Sequence, residues 1–186
     1  MIDDAPLDER DNVVLATMLE SVFGTDAFDD SAYRTAERVL AYWEEYNGSA
    51  AEPEVTTFPS TVNQLIIAKD IEFSSICAHH LLPFLGVCHI GYVPNALMIG
   101  LSKMPRIVDY FAKRPQVQER LTEQIASYMK HKLEAMGVAV VIEAQHTCMA
   151  CRGVRKHNGR MVTSEMRGIF LTAGEARSEF LRLIGH

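Results

Sequence analysis

The sequence predicts an α+β fold: a helical N-terminal extension, then two antiparallel strands, two helices, two further strands and a closing helix. Three observations predict it. Apolar residues recur at helical spacing through the first fifty positions and again from Val117 to Leu133. Two stretches rich in β-branched and aromatic residues, 66–76 and 87–93, flank a short Pro-Phe-Leu-Gly segment at 83–86. Residues 138–148 then alternate with the period of two that a half-buried strand requires.

Taken in order, Val14, Met18 and Val22 precede Gly24, and Tyr33, Ala36, Leu40 and Trp43 precede Gly48, which predicts two amphipathic helices on a core. Residues 47–53 form the linker, so residues 1–50 are read as the extension and 51–186 as the main domain. Strands 66–76 and 87–93 are joined through 83–86, and Pro94-Asn95 ends the second. Ser102 followed by Pro105 marks a helix start, Ser as cap and Pro in the first turn, with Ile107, Val108 and Phe111 on the buried side. Leu121, Ile125, Tyr128, Met129 and Leu133 carry the next helix toward Gly137, a helix-ending glycine. A strand at 138–148, a fourth at 161–170 and a closing helix at 176–184 complete the chain.

A chain of 186 residues is one domain, or one core with an extension. With 48% hydrophobic and 23% charged residues, extensive disorder is excluded. No apolar run reaches the ~18–20 residues of a membrane span, and the acidic start MIDDAPLDERDN is unlike a signal peptide, so a cytoplasmic protein is expected. The net charge of −6 supplies no global field for nucleic acid or anionic lipid. The four cysteines are therefore read as reduced thiols or metal ligands.

Cys77-Ala78-His79-His80 and His146-Thr147-Cys148-Met149-Ala150-Cys151 carry the chemistry, because thiolate and imidazole are the donors zinc favours. Cys148-x-x-Cys151 together with Cys77 and His80 would make a closed structural site, whereas three ligands would leave a position for water. On a strand, residues 146 and 148 share a face and 151 does not, which favours the open site. A redox C-x-x-C is less favoured, since that motif normally opens a helix after a strand. His79 and His146 are proton carriers beside the metal, while His89, His131, His157 and His186 are read as structural or surface residues. Lys103 and Arg106, with Ser102, and Arg152, Arg155 and Lys156 form two basic clusters suited to phosphate.

The segments CAHHLLPF, GLSKMPRIVDYFAKR, QVQERLTEQIA, GVAVVIEAQHTCM and RGV resemble the GTP cyclohydrolase I family, in order and at matching separations. That resemblance implies a tunnelling fold, in which a four-stranded antiparallel sheet carries two long helices between its second and third strands, a toroidal homodecamer with active sites at subunit interfaces, and Zn²⁺ held by Cys77, His80 and Cys148. It implies that GTP is opened at its imidazole ring, loses formate, and is rearranged and closed to 7,8-dihydroneopterin triphosphate, a precursor for pterins and folate. His79 would protonate N7, His146 would assist later proton transfers, and Ser102 would contact the ribose or phosphate region. Glu119, with Gln118 beside it, would read the guanine edge, and Lys103, Arg106, Arg152 and Arg38 would hold the triphosphate.

Three departures from the family pattern stand out. Ala78 replaces the usual Glu after the first cysteine ligand, Ala41 stands where a basic residue is often found, and Cys151 stands where a non-ligand residue is usual, a thiol close to the metal that would add sensitivity to oxidation. Ala78 leaves open a variant that stops at a formamidopyrimidine or serves a deazapurine pathway. A non-catalytic nucleotide- or pterin-binding protein with a structural zinc is the reading outside the enzyme class. The related nitrile reductase is disfavoured by the Cys/His set.

Overall fold

A computed structural model describes residues 7–185. The acidic reading of positions 1–6, and His186, lie outside the described residues. The chain divides between Asn47 and Gly48 into two compact units.

The first unit is a helical hairpin, α1 (Glu9–Phe23) and α2 (Ala32–Glu44), joined through a 3-10 turn at Thr25–Ala27. Asp8 caps α1 by accepting from the backbone N–H of Arg10 at 2.7 Å, and Asp11 returns the favour by accepting from the Asp8 N–H at 2.8 Å. The expected stripe of Val14, Met18 and Val22 is solvent-exposed. The packed side is instead Leu15, Ala16 and Leu19, set against Ala32, Tyr33 and Ala36. The reason is steric: α1 carries two apolar stripes, and the one with the small Ala16 lets the helices close on the alanines of α2.

The second unit begins with β1 (Thr57–Pro59), which pairs with β4 (Leu97–Ile99). Its main sheet runs in the order β5-β2-β3-β6-β7, from β2 (Ile66–Cys77), β3 (Pro83–Val93), β5 (Pro115–Gln116), β6 (Gly137–His146) and β7 (Met161–Gly168). The four expected antiparallel strands are β2, β3, β6 and β7. Two-residue β5 adds a parallel edge against Ile76 and Cys77, making the sheet mixed. Helices α3 (Lys103–Ala112) and α4 (Gln118–Leu133) lie between β3 and β6, as expected.

Alternation along β6 builds two cores. Val138, Val140, Ile142 and Ala144 pack under α3 and α4, with Ile107, Leu121, Ile125 and Met129. Ala139 and Val141 face the other way, toward α6 (Ile169–Thr172) and α7 (Gly174–Ile184), where Phe170 and Phe180 bury their rings. Each such ring contributes roughly 2–3 kcal/mol by leaving water.

Several boundaries differ from the expectations. Residues 83–86 are not the connection but the start of β3: Pro83 pairs with Ile76 and Gly86 with Phe73. Gly86 permits this, since a Cβ there would lie 2.1 Å from the Glu143 carbonyl oxygen on β6. The long helix ends on Glu134, whose φ of +46° is left-handed, rather than on Gly137. Gly137 opens β6, where a Cβ would press within 2.9 Å of the Arg167 carbonyl oxygen. Strand β6 stops at His146 and a single turn, α5 (Thr147–Ala150), follows, while Phe170 lies in α6 rather than in a fourth strand ending at 170. Ser102 precedes α3, but its side chain makes no capping hydrogen bond. Within the expected linker, Glu52 is held by Lys132 at 2.7 Å and by the Tyr128 hydroxyl at 2.9 Å.

Candidate active site

The site lies where the β2–β3 hairpin turns beside the end of β6. Cys77 and Leu82 close the turn, with the Cys77 N–H donating to the Leu82 carbonyl at 2.8 Å. Inside it the N–H groups of His80 and Leu81 both donate to the Cys77 carbonyl, at 3.1 and 2.8 Å, a helix-like winding that brings residues 77 and 80 to one side. Leu81 then adopts φ +54° to return the chain to β3. The Cys77 end of β2 is fastened from outside, where the Ala78 N–H donates to the Gln116 carbonyl at 2.8 Å and the Ser75 hydroxyl to the Ala112 carbonyl at 2.7 Å.

Cys148 reaches the hairpin from α5. The Thr147 hydroxyl donates to the Pro83 carbonyl at 2.6 Å and pins this turn to the start of β3. As a result one ligand atom each from Cys77, His80 and Cys148 lies within 4.8 Å of the other two. Two sulfurs and an imidazole at that spacing suit a tetrahedral ion with bonds of roughly 2.0–2.3 Å, so the donor set fits zinc. Cys151 is exposed and outside the group, and it ends the helical turn α5 rather than standing on the opposite face of a strand as alternation would have it. Burial raises the Cys148 thiol pKa, and the adjacent Cys77 raises it further, whereas Arg152 acts in the opposite sense. Two thiols so placed favour a bound cation that takes up their charge. Cys88 is fully buried in the core and apart from the group.

His79 is exposed on the hairpin, its Nδ1 3.8 Å from the Cys77 sulfur, and the His80 Nδ1 stands at 3.6 Å. His146 ends β6 on the face shared with Val140 and Ile142. It pairs with Phe84 across the strands, and the two rings stack at 4.5 Å with planes 6° apart. Its Nε2 meets the Gln118 Oε1 at 2.8 Å. Gln118 is buried, and its amide N–H groups donate to Ile142 and Met161 carbonyls at 3.0 Å and to the Thr163 hydroxyl at 3.1 Å. Only the amide oxygen remains for the imidazole, so the His146 proton sits on Nε2 and Nδ1 is the free nitrogen. Burial lowers the His146 pKa, with Glu119 opposing. Glu119 is exposed in the first turn of α4, next to this pair.

The remaining sequence-predicted residues stand elsewhere. Ser102 borders a 690 Å³ cleft over residues 67–72 of β2, with Lys103 and Arg106 in the turn of α3 that follows. That is the far end of β2 from Cys77: seven residues from Asp70 to Cys77 span about 23 Å at the usual strand rise. Arg152 is exposed after α5, and Arg38, in the N-terminal unit, pairs with Asp30 at 2.6 Å. Sequence reasoning missed Phe84, Thr147 and Thr163. Phe84 was hidden in a segment that reads as a turn, and no local signal marks the two threonines.

Comparison with known proteins bears on the same segments. The family profile described as GTP cyclohydrolase I matches residues 13–185. Among curated relatives, GTP cyclohydrolase 1 of Chlorobaculum tepidum is 43% identical, over 96% of this chain and 84% of its own. That of Aquifex aeolicus is 44% identical over 95% and 96%, and that of Sulfurihydrogenibium sp. 45% over 87% of each. Among solved structures, the archaeosine synthase QueF-Like in its apo form has a TM-score of 0.47 at 14% identity, covering 56% of this chain and 93% of that one. No helix among the described residues is long and apolar enough to cross a membrane.

Proposed function

Because this chain belongs to the GTP cyclohydrolase I family, we infer that it is a hydrolase that converts GTP and water to formate and 7,8-dihydroneopterin triphosphate. The observation that carries the inference to this chain's own residues is the convergence of Cys77, His80 and Cys148 beside His79 and the Gln118–His146 pair. Residues 51–186 are the catalytic domain, in the tunnelling fold, and residues 1–50 its helical extension.

Cys77, His80 and Cys148 would hold zinc, with Cys151 outside the set. When bound, zinc supplies Lewis-acid activation of water near neutral pH for attack at C8 of the purine. His79, exposed beside these ligands, donates a proton to N7 and so makes C8 electrophilic. Opening of the ring leaves a formamide, whose hydrolysis releases C8 as formate. His146 handles the later proton transfers at Nδ1, since Nε2 is held by Gln118. Gln118 is therefore a positioning residue, its amide already engaged at every hydrogen-bonding group and so not open to the guanine edge. Glu119 accepts from the guanine N1–H and amino group, and an adenine would leave that carboxylate unpaired.

Ser102, Lys103, Arg106, Arg152 and Arg38 hold the ribose and triphosphate. The distance from Ser102, Lys103 and Arg106 to the Cys77 end of β2 supports a site completed by a neighbouring subunit, in a homo-oligomer for which the family's decamer is the proposed form. The partner is GTP, with no role for nucleic acid or a membrane.

The test is incubation of zinc-loaded protein with GTP, followed by mass spectrometry of the product and a formate assay. Dihydroneopterin triphosphate with equimolar formate is expected. A product that keeps the formyl carbon would show that the reaction stops after ring opening, and unchanged GTP would point to a binding role.

A further inference from the structure

We propose that Cys148 and Cys151 form a reversible oxidation site, in which a peroxide joins the two sulfurs as a disulfide and withdraws Cys148 from the metal-ligating group. The consequence for metal rests on the zinc reading above, whereas the pairing itself rests on the geometry of one turn.

Cys151 closes α5, its N–H donating to the Thr147 carbonyl at 2.8 Å with φ −90° and ψ −12°. Residues 148 and 151 are thus one helical turn apart, with Cβ atoms about 5–6 Å from each other. A disulfide needs Cα atoms about 4.4–6.8 Å apart and Cβ atoms near 4 Å, so a modest tightening of the turn is enough. The chain beyond permits it: residues 151–158 are exposed and outside the sheet, and Gly153 sits at φ +57°.

Exposure decides which sulfur meets the oxidant. Cys77 and Cys88 are buried and Cys148 is half-buried, whereas Cys151 is exposed. The Cys151 sulfur attacks one peroxide oxygen and the O–O bond breaks. The departing hydroxide takes up the thiol proton as water, leaving Cys151 as a sulfenic acid. The Cys148 sulfur, a thiolate where it ligates the metal, then attacks the Cys151 sulfur, the S–O bond breaks, and the second hydroxide leaves and takes a proton from solvent to become water. Two thiols lose two electrons and hydrogen peroxide gains them. Cys77 and His80 are then the remaining protein donors, too few for a stable zinc site.

The experiment uses the full chain and its Cys151→Ser variant, each loaded with zinc and assayed for metal content before treatment. Hydrogen peroxide is added, zinc release is followed with a chromogenic chelator, and free thiols are then alkylated before tryptic digestion. Cleavage after Lys132 and Arg152 places both cysteines on peptide 133–152, apart from Cys77. The expected result is that this peptide is two hydrogens lighter and takes no alkyl group. Zinc should leave the parent chain about tenfold faster than the variant, and dithiothreitol should reverse the modification. Equal release from both proteins, or a cross-link between the peptides of Cys77 and Cys148 as the main product, would overturn the proposal. Absence of zinc before treatment would instead count against the metal reading, while the mass of peptide 133–152 would still decide the pairing.

Discussion

At His146 a single amide fixes the tautomer of the imidazole. Gln118 has its two N–H groups directed at three acceptors, so its oxygen faces the imidazole and the Nε2 proton follows. Replacing Gln118 with Leu removes that orientation and leaves the Ile142 and Met161 carbonyls without this donor. Turnover should fall by about 10–100-fold while bound zinc stays unchanged, by analogy with the loss of other orienting partners. Parallel loss of zinc would show that the residue supports the fold and not the imidazole. Cys148→Ser, in contrast, should lower zinc content and activity together, which metal analysis of the purified variant checks. The grouping of Cys77, His80 and Cys148 was legible because metal-binding chemistry is written in residue type and short spacing. The role of Gln118 was not, since its partners lie 24 to 45 positions away and no pattern in sequence brings them together.

At the scale of elements, the β2–β3 hairpin governs the site. Its turn holds Cys77 and His80 of the candidate metal group, and its second strand starts early enough for Phe84 to lie under His146. A turn at Pro-Phe-Leu-Gly was the natural reading, because Pro and Gly punctuate loops and a strand can accept Pro only at its start or edge. The glycine is in fact required by the close approach of β6. Gly86→Ala would force a methyl to 2.1 Å from the Glu143 carbonyl, so the seam between β3 and β6 must part. Destabilisation of at least ~1–3 kcal/mol is expected, read as a lowered thermal midpoint with zinc loss beginning at a lower temperature. Phe84→Ala should cost ~3–5 kcal/mol as a large-to-small change at a fully buried position. The single turns α5 and α6 overlap segments that read as strand, whereas the longer helices, α1 to α4 and α7, were legible in the sequence. Which stripe of α1 packs was not, because two apolar faces compete and the small Ala16 decides by allowing closer approach.

For the whole molecule, the cleft bordered by Ser102 lies toward the other end of β2 from Cys77, and Lys103 opens the helix that follows, so the proposed sharing of a site between subunits can be tested. Two variants, His79→Ala and Lys103→Ala, should each be nearly inactive alone. If each site draws these residues from different subunits, refolding them together in equal amounts should restore about a quarter of parental activity, the fraction of random pairs with both residues intact. No recovery, with mixed oligomers demonstrated, would place both residues in one chain's site. Composition gave the class of molecule and its lack of a membrane-length apolar run, but such sharing is a property of surfaces and is invisible to local pattern.

The Thr147 hydroxyl on the Pro83 carbonyl has one more effect, on the timing of motion. Cys77 and His80 belong to a local turn, whereas Cys148 follows α3, α4 and β6 along the chain. A cation held by all three therefore clips the chain across a loop of about seventy residues, and opening of the β3–β6 edge must first break that clip. Amide hydrogen exchange at residues 84–86 and 144–148 should slow when the metal is bound, while exchange in α7 stays unchanged. The ligand group thus measures, in the rate at which one seam breathes, whether the distant halves of the sheet have been joined.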